Sequence, residues 1–459
     1  MSRPLQLTAW QQQLASRFPD LPAAVVAVLA LYSFGVLCAH VCGLSAVCLW
    51  LGKALALPYD ALRKRLREFY LEAGAKSGVR QGQKRQDFDP ADSFVPLLRW
   101  VLSLWSGRHL ALALDVTNLG DRFHVLAVSV VVGGVGIPVA WKVLLGGVPE
   151  PWNPHWQALL RRLQAAVPAD WTVLVLSDRG LESPELFRHL TGLGWHPLMR
   201  VKKGGKFHPK GWGRSYSLGD LVRRAGASLS VEGRAYAGAK LACTLLARWD
   251  EGYDEPWLLL TDLPPEAANA VWYGLRAWVE QGFQVIKGGG WDWQETRMED
   301  PGRVERLWLV LTVATLWVVA VGAQDEAQEQ REAERKRLAW ELAQGEEQAR
   351  ARREREQQRR QKQQEAQQAR RQRQAARRER RQAARAAKQP QARGRRRSKE
   401  EGQPRVHRLS VRGLAVLAAL WQRGENQLPH QLPPQPWPPP CHPASTLTEE
   451  EFLSQQTYP

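Results

Sequence analysis

Leu110-Ala111-Leu112-Ala113-Leu114-Asp115 is an unbroken apolar run that ends in a carboxylate. A short run of this kind, apolar on both sides, reads as a strand buried on both faces. Working outward, residues 124–132 and 137–145 read as two more strands, with Asn118, Leu119, Gly120 and Asp121 forming the turn after the first. A helix near residues 156–166 leads to Trp171-Thr172-Val173-Leu174-Val175-Leu176, a fourth strand that passes through Ser177 into Asp178. A helix over 184–193 and a strand over 195–201 follow. Three strands, then alternating helix and strand, predict a mixed α/β sheet. Residues 202–263, rich in Gly, Ser and short apolar runs, read as an inserted β subdomain.

On this reading two buried strands each end in an acid, Asp115 and Asp178. A charge bordering apolar structure needs a cation or hydrogen-bond donors, and side chains at adjacent strand ends can converge on one metal. Either aspartate alone serves a structural turn equally well. A third acid lies in a stretch that Pro264 and Pro265 open and Gly288, Gly289 and Gly290 close, with helical periodicity between them. Val271, Leu275, Trp278, Val279 and Val285 make its apolar stripe. At about 100° per residue, Tyr273, Arg276, Glu280 and Lys287 fall within roughly 60° of one another on the opposite side. A solvated face carrying an Arg276 to Glu280 pair, worth roughly a few tenths of a kcal/mol, fits the same pattern.

Tyr273-x2-Arg276-x3-Glu280-x6-Lys287 resembles, at four residues and three fixed gaps, the signature of the insertion-sequence-four family of DDE transposases. Residues 112–122, from Leu112 through Asp115 to Arg122, and residues 175–181, from Val175 through Asp178 to Leu181, are similar to the segments where that family carries its two aspartates. The resemblance spans residues 95–325 and extends more loosely to the N-terminal helices. It implies an RNase H-like mixed-sheet catalytic core over 93–323, with the β insertion at 202–263. It also implies that Asp115, Asp178 and Glu280 are catalytic and hold two Mg2+ ions, with Mn2+ able to substitute, for metal-dependent DNA strand cleavage and strand transfer. Tyr273, Arg276 and Lys287 would bind DNA phosphates near the transposon end. The implied partners are double-stranded DNA at the inverted repeats, target DNA, and a second copy in a synaptic homodimer. The implied setting is cytoplasmic, in a bacterial nucleoid, without membrane. Two other readings stand beside this one: a catalytically silent DNA-binding descendant, and a membrane-attached basic protein whose acids are structural.

The rest of the chain is consistent with a polyanionic partner. The 459 residues carry a net charge of +18 and a pI near 10.0, and clustered Lys and Arg gain affinity by displacing counterions from phosphates. Five cysteines without paired zinc-like spacing suit a reducing compartment, and Cys38, His40 and Cys42 read as core rather than as metal ligands. Residues 1–92 read as a helical region with a possible DNA-binding role. Leu62, Leu66, Phe69 and Tyr70 form an apolar stripe there beside Arg63, Lys64, Arg65 and Arg67, a pattern that a solvated basic face matches as well. Residues 23–52 lack any Lys, Arg, Asp or Glu and are long enough to span a membrane, but Gly43-Leu44-Ser45 breaks them into two short helices suited to a soluble core. Residues 307–322 read as a core helix, and residues 1–22 carry no cleavable signal. Of the 21 tryptophans, Trp278 belongs to the apolar stripe, and Trp291 and Trp293 are the candidates for stacking on an extruded base. Residues 324–403 form a charged Arg-, Gln- and Glu-rich helix or disordered segment, and 404–459 an amphipathic helix followed by a Pro-rich tail.

Overall fold

The computed structural model describes residues 5–76, 87–376, 408–433 and 437. Contacts divide the chain into two units, Met1–Asp325 with Arg405–Pro459, and Glu326–Pro404.

The first unit begins with four helices, α1 (Leu5–Arg17), α2 (Ala23–Ala39), α3 (Leu44–Leu55) and α4 (Tyr59–Phe69). The apolar run of residues 23–52 is split between α2 and α3, which meet at a 94° bend. Gly43 is the N-cap of α3. His40 takes a left-handed conformation at the end of α2 and faces solvent, while Cys42 is buried and Cys38 partly so. Burial pushes the Cys42 thiol up to about 12 and Cys38 also upward, so both thiols behave as core groups.

After α5 (Phe94–Ser103) come β1 (His109–Leu119), β2 (Phe123–Val132), β3 (Val135–Leu145), α6 (Asn153–Gln164), β4 (Thr172–Ser177), α7 (Pro184–Gly192) and β5 (His196–Arg200). The fivefold order β3-β2-β1-β4-β5 is mixed, because β1 pairs antiparallel with β2 but parallel with β4, and β4 parallel with β5. This is the RNase H-like arrangement that the resemblance implied. Burial of residues 110–114 of β1 and of nearly all of β2 and β4 explains why they read as continuous apolar runs rather than alternating ones.

The strands of the insertion, β6 (Lys206–Pro209), β7 (Tyr216–Ser217), β8 (Ser228–Ala235) and β9 (Leu241–Arg248), do not form a separate sheet. Through β10 (Trp257–Thr261), which pairs with β5, they extend the core sheet to ten strands, ending in the order β10-β9-β8-β6-β7.

The stretch expected to be one helix from Pro264 to Gly288 is two 3-10 segments, Pro265–Ala267 and Ala270–Arg276, followed by α8 (Ala277–Lys287). Val271 is therefore exposed instead of lining the stripe, Trp278 is only half-buried, and Tyr273 turns inward. What seats α8 on the sheet is a pair of glycines. A Cβ on Gly282 would collide with the carbonyl oxygen of Gly136 in β3, so only two bare backbones permit this close approach.

The helix α9 (Pro301–Ala376) includes the run expected as a separate core helix. Residues 307–323 are buried, and the segment is apolar and long enough to cross a membrane by composition, yet its apolar window lies wholly inside the protein. Trp317 in this segment stacks on Trp10 of α1 at 3.8 Å. At the edge of the sheet, the Glu305 carboxylate accepts a hydrogen bond from the Val143 amide at 3.0 Å and pairs with Lys142 at 2.9 Å. Helix α10 (Arg408–Gln422) crosses α9 where Gly322 and Gly413 face each other. Beyond it the proline-rich segment packs into the core as far as it is described: Leu432 is buried and its amide donates to Leu104, and Trp437 lies edge-on to Trp272 and His109.

In the second unit, residues 326–376 are helical, with ion pairs four residues apart such as Arg337 with Glu341 and Arg350 with Glu354. Each is an exposed pair of the kind that contributes roughly a few tenths of a kcal/mol. The remainder of the charged run, residues 377–403, and residues 438–459 of the tail lie outside the described residues.

Candidate active site

Asp115 is not at a strand end. Strand β1 continues four residues past it, and Asp115 pairs with Ala127 of β2. The parallel partner β4 stops earlier, with its last residue Ser177 opposite Leu114. Asp115 thus stands where the β1–β4 ladder gives out, and Asp178, one residue beyond β4, takes the adjoining position. The Asp178 carboxylate accepts a hydrogen bond from the Arg179 amide at 2.7 Å, which caps the 3-10 turn Arg179–Leu181. Glu280 projects from the first turn of α8, and Arg276 is that helix's N-cap residue.

The structure brings the three acids together around Arg276. One terminal nitrogen of its guanidinium lies 3.0 Å from Asp115 Oδ1 and 3.6 Å from Asp178 Oδ2, and the other lies 3.2 Å from Glu280 Oε1. The expected Arg276 to Glu280 pair exists, but it is one arm of a four-group cluster. Arg276 and Asp115 are each only 15 % exposed, whereas Glu280 is 60 % exposed. Burial raises the Asp115 carboxyl above its usual value, and Asp178 and Glu280 add to this, while Arg276 and the Val116 amide oppose it.

Tyr273 is buried, and burial pushes its hydroxyl well above the ordinary tyrosine range. Its ring packs edge-on against Trp257 at 5.3 Å. Lys287 ends α8; partial burial lowers its ammonium and nearby Asp115 works the other way. Tyr273 and Lys287 border the cluster without entering it. Trp291 and Trp293 are wholly buried, and the Trp291 indole donates to Thr315 at 2.8 Å, so neither ring is available to stack on a base. The expectation of a stacking role for them is overturned.

Beside the acids lies a second cluster that sequence reading missed. The Glu255 carboxylate is held by Arg179 at 3.1 Å, Arg200 at 2.5 Å and Lys203 at 3.4 Å. Burial would raise Glu255, but these three cations outweigh it and hold the carboxyl below its usual value. Arg179 directly follows Asp178, and Arg200 acts electrostatically on the Tyr273 hydroxyl, which ties the cluster to the acids. The only sequence signal was basic residues near a strand end, which is too common to single out.

Among the described residues, no three His, Cys, Asp or Glu side chains are grouped as a ready metal site. The donors nonetheless fit a hard divalent cation: three carboxylates face one guanidinium, so the acids retain excess negative charge, and all their donors are oxygens.

No curated protein matches the chain. Among solved structures, a cryo-EM structure of the piggyBac transposase synaptic complex with hairpin DNA is similar at 13% identity over 67% of this chain and 69% of that one. Its TM-score is 0.35. Residues 149–317, less than half of the chain, match the family model of the transposase DDE domain. The matched stretch contains Asp178, the Tyr273 to Lys287 signature and Glu280, and begins after Asp115.

Proposed function

We propose that this chain is a DDE transposase of the insertion-sequence-four type, which cuts and joins DNA at the ends of a mobile element. The observation that carries the reading is the convergence of Asp115, Asp178 and Glu280, from a strand interior, a strand end and a helix start, on a single point. The transposase DDE match over residues 149–317 and the net charge of +18 support it. Asp115, Asp178 and Glu280 would hold two Mg2+ ions, or Mn2+ in their place, which supply activation of the attacking water or 3′-hydroxyl and neutralisation of the leaving oxygen.

The chain's own groups do the positioning. Asp115 is fixed by strand pairing with Ala127 of β2, and Asp178 by its cap to Arg179. Arg276 offers a planar fork to a phosphate, and Lys287 a point charge. Tyr273 packs behind them against Trp257 and shields the back of the site from water. The substrate is double-stranded DNA at the element's inverted repeats and then the target duplex, handled by a homodimer in the cytoplasm of a bacterium.

The test is cutting of a duplex carrying the repeats that flank the gene, by the full chain with Mg2+ or Mn2+. Cleavage at the repeat ends that is lost in Asp115→Asn, Asp178→Asn and Glu280→Gln, with end binding retained, supports the reading. Binding without any cutting by the native chain overturns it in favour of a silent DNA-binding descendant.

A further inference from the structure

Arg276 has a position that its expected contact with a DNA phosphate does not explain. Its guanidinium is turned inward, its two terminal nitrogens engage all three carboxylates, and its Nε is buried without a hydrogen-bond partner. A divalent ion held by Asp115, Asp178 and Glu280 would draw on the same three carboxylates, at about 2.1 Å from their oxygens. A guanidinium at 3.0 to 3.6 Å from all three carboxylates competes with a metal ion for their negative charge, and the two cations repel each other in a partly buried site.

The guanidinium can leave only if another anion receives it, because a buried, unpaired arginine is costly. A phosphodiester suits it, since two oxygens match the fork and one can accept from the unpartnered Nε. We propose that Arg276 is an exchangeable counter-ion: it holds the three carboxylates until a DNA phosphate takes it over, so that metal loading is coupled to DNA engagement. This rests on the metal-site reading above. Its consequence is that the bare protein binds metal weakly, while each ligand promotes the other's binding by the same factor.

The experiment measures Mn2+ binding to the full chain by electron paramagnetic resonance, with Mn2+ alone and then with a short mixed-sequence duplex, for the native chain, Arg276→Gln, Arg276→Lys and Asp178→Asn. Without DNA, Arg276→Gln is expected to bind Mn2+ about tenfold tighter than native, a typical size for coupling between two sites. Arg276→Lys, which keeps the cation, should stay near native and so separate charge from packing. Adding the duplex should narrow the gap between native and Arg276→Gln. If Arg276→Gln binds Mn2+ no more tightly than native, or the duplex leaves the gap unchanged, the exchange is refuted while the metal site stands. If Asp178→Asn leaves Mn2+ binding unaltered, the carboxylate site itself is wrong and the exchange falls with it.

Discussion

Two adjacent clusters in this molecule are built with opposite charge balance. Around Arg276 three carboxylates share one cation; around Glu255 three cations share one carboxylate. Each single counter-ion offsets part of the repulsion within a crowd of like charges, and each crowd outnumbers the counter-ion at its centre. An excess of carboxylates suits divalent cations, and an excess of Arg and Lys suits phosphates. Side by side, the two are complementary to a phosphodiester and the ions that activate it. The difference also predicts a division of labour, in which the acids govern cutting and the cations govern binding.

The sharpest break of that comparison comes from the acids. Asp178→Asn should lower end cleavage by at least about a thousandfold, as loss of a group that acts as part of a catalytic unit does, with DNA affinity measured by filter binding changing far less than cleavage. Next is the seat of the acid cluster. Gly282→Val should destabilise the fold by about 1–3 kcal/mol in chemical denaturation, because its side chain has to displace the Gly136 backbone. At a temperature where the variant is folded, cutting should fall more than DNA binding, since α8 carries Glu280 while the Glu255 cluster sits on other elements.

Arg200→Ala tests the cation side and should weaken DNA binding about tenfold, with the salt slope smaller by about one contact. Equal losses of binding in Asp178→Asn and Arg200→Ala would erase the distinction between the clusters. The smallest effect concerns stability. Asp115 has a raised folded-state pKa, so its ionised form is disfavoured on folding, and stability falls as pH rises from the ordinary carboxylate range through the folded value. Asp115→Asn should therefore melt at a higher temperature than native near neutral pH, and the difference should shrink on acidification below that range.

Much of this was legible from the chain. Strands β1 to β5 announce themselves as apolar runs because both faces of the central strands are covered, and Asp115 and Asp178 stand out as the acids that interrupt or end those runs. What was not legible depended on partners remote in sequence. A helical wheel cannot reveal that residues 270–276 wind as a 3-10 segment, which turns Tyr273 inward and Val271 out. Glu255 gathers residues 179, 200 and 203 only because β4, β5 and the loop before β10 meet. Trp291 and Trp293 look like free aromatic rings near a signature, yet residues of the 301–325 segment, Trp308 and Thr315 among them, cover them. The proline-rich tail gives no periodicity, and its packing through Leu432 and Trp437 rests on side chains and one backbone bond that no pattern records.

Glu280 is the residue on which the account is most exposed, since it is 60 % solvent-accessible and its pair with Arg276 is one that many surface helices make. The most direct measurement is metal-dependent end cleavage by Glu280→Gln beside the native chain, with melting temperature and DNA affinity recorded for both. The account predicts that cutting disappears while folding and binding persist. Cutting at the native rate would make Glu280 an ordinary surface partner of Arg276 and would contradict the three-carboxylate site.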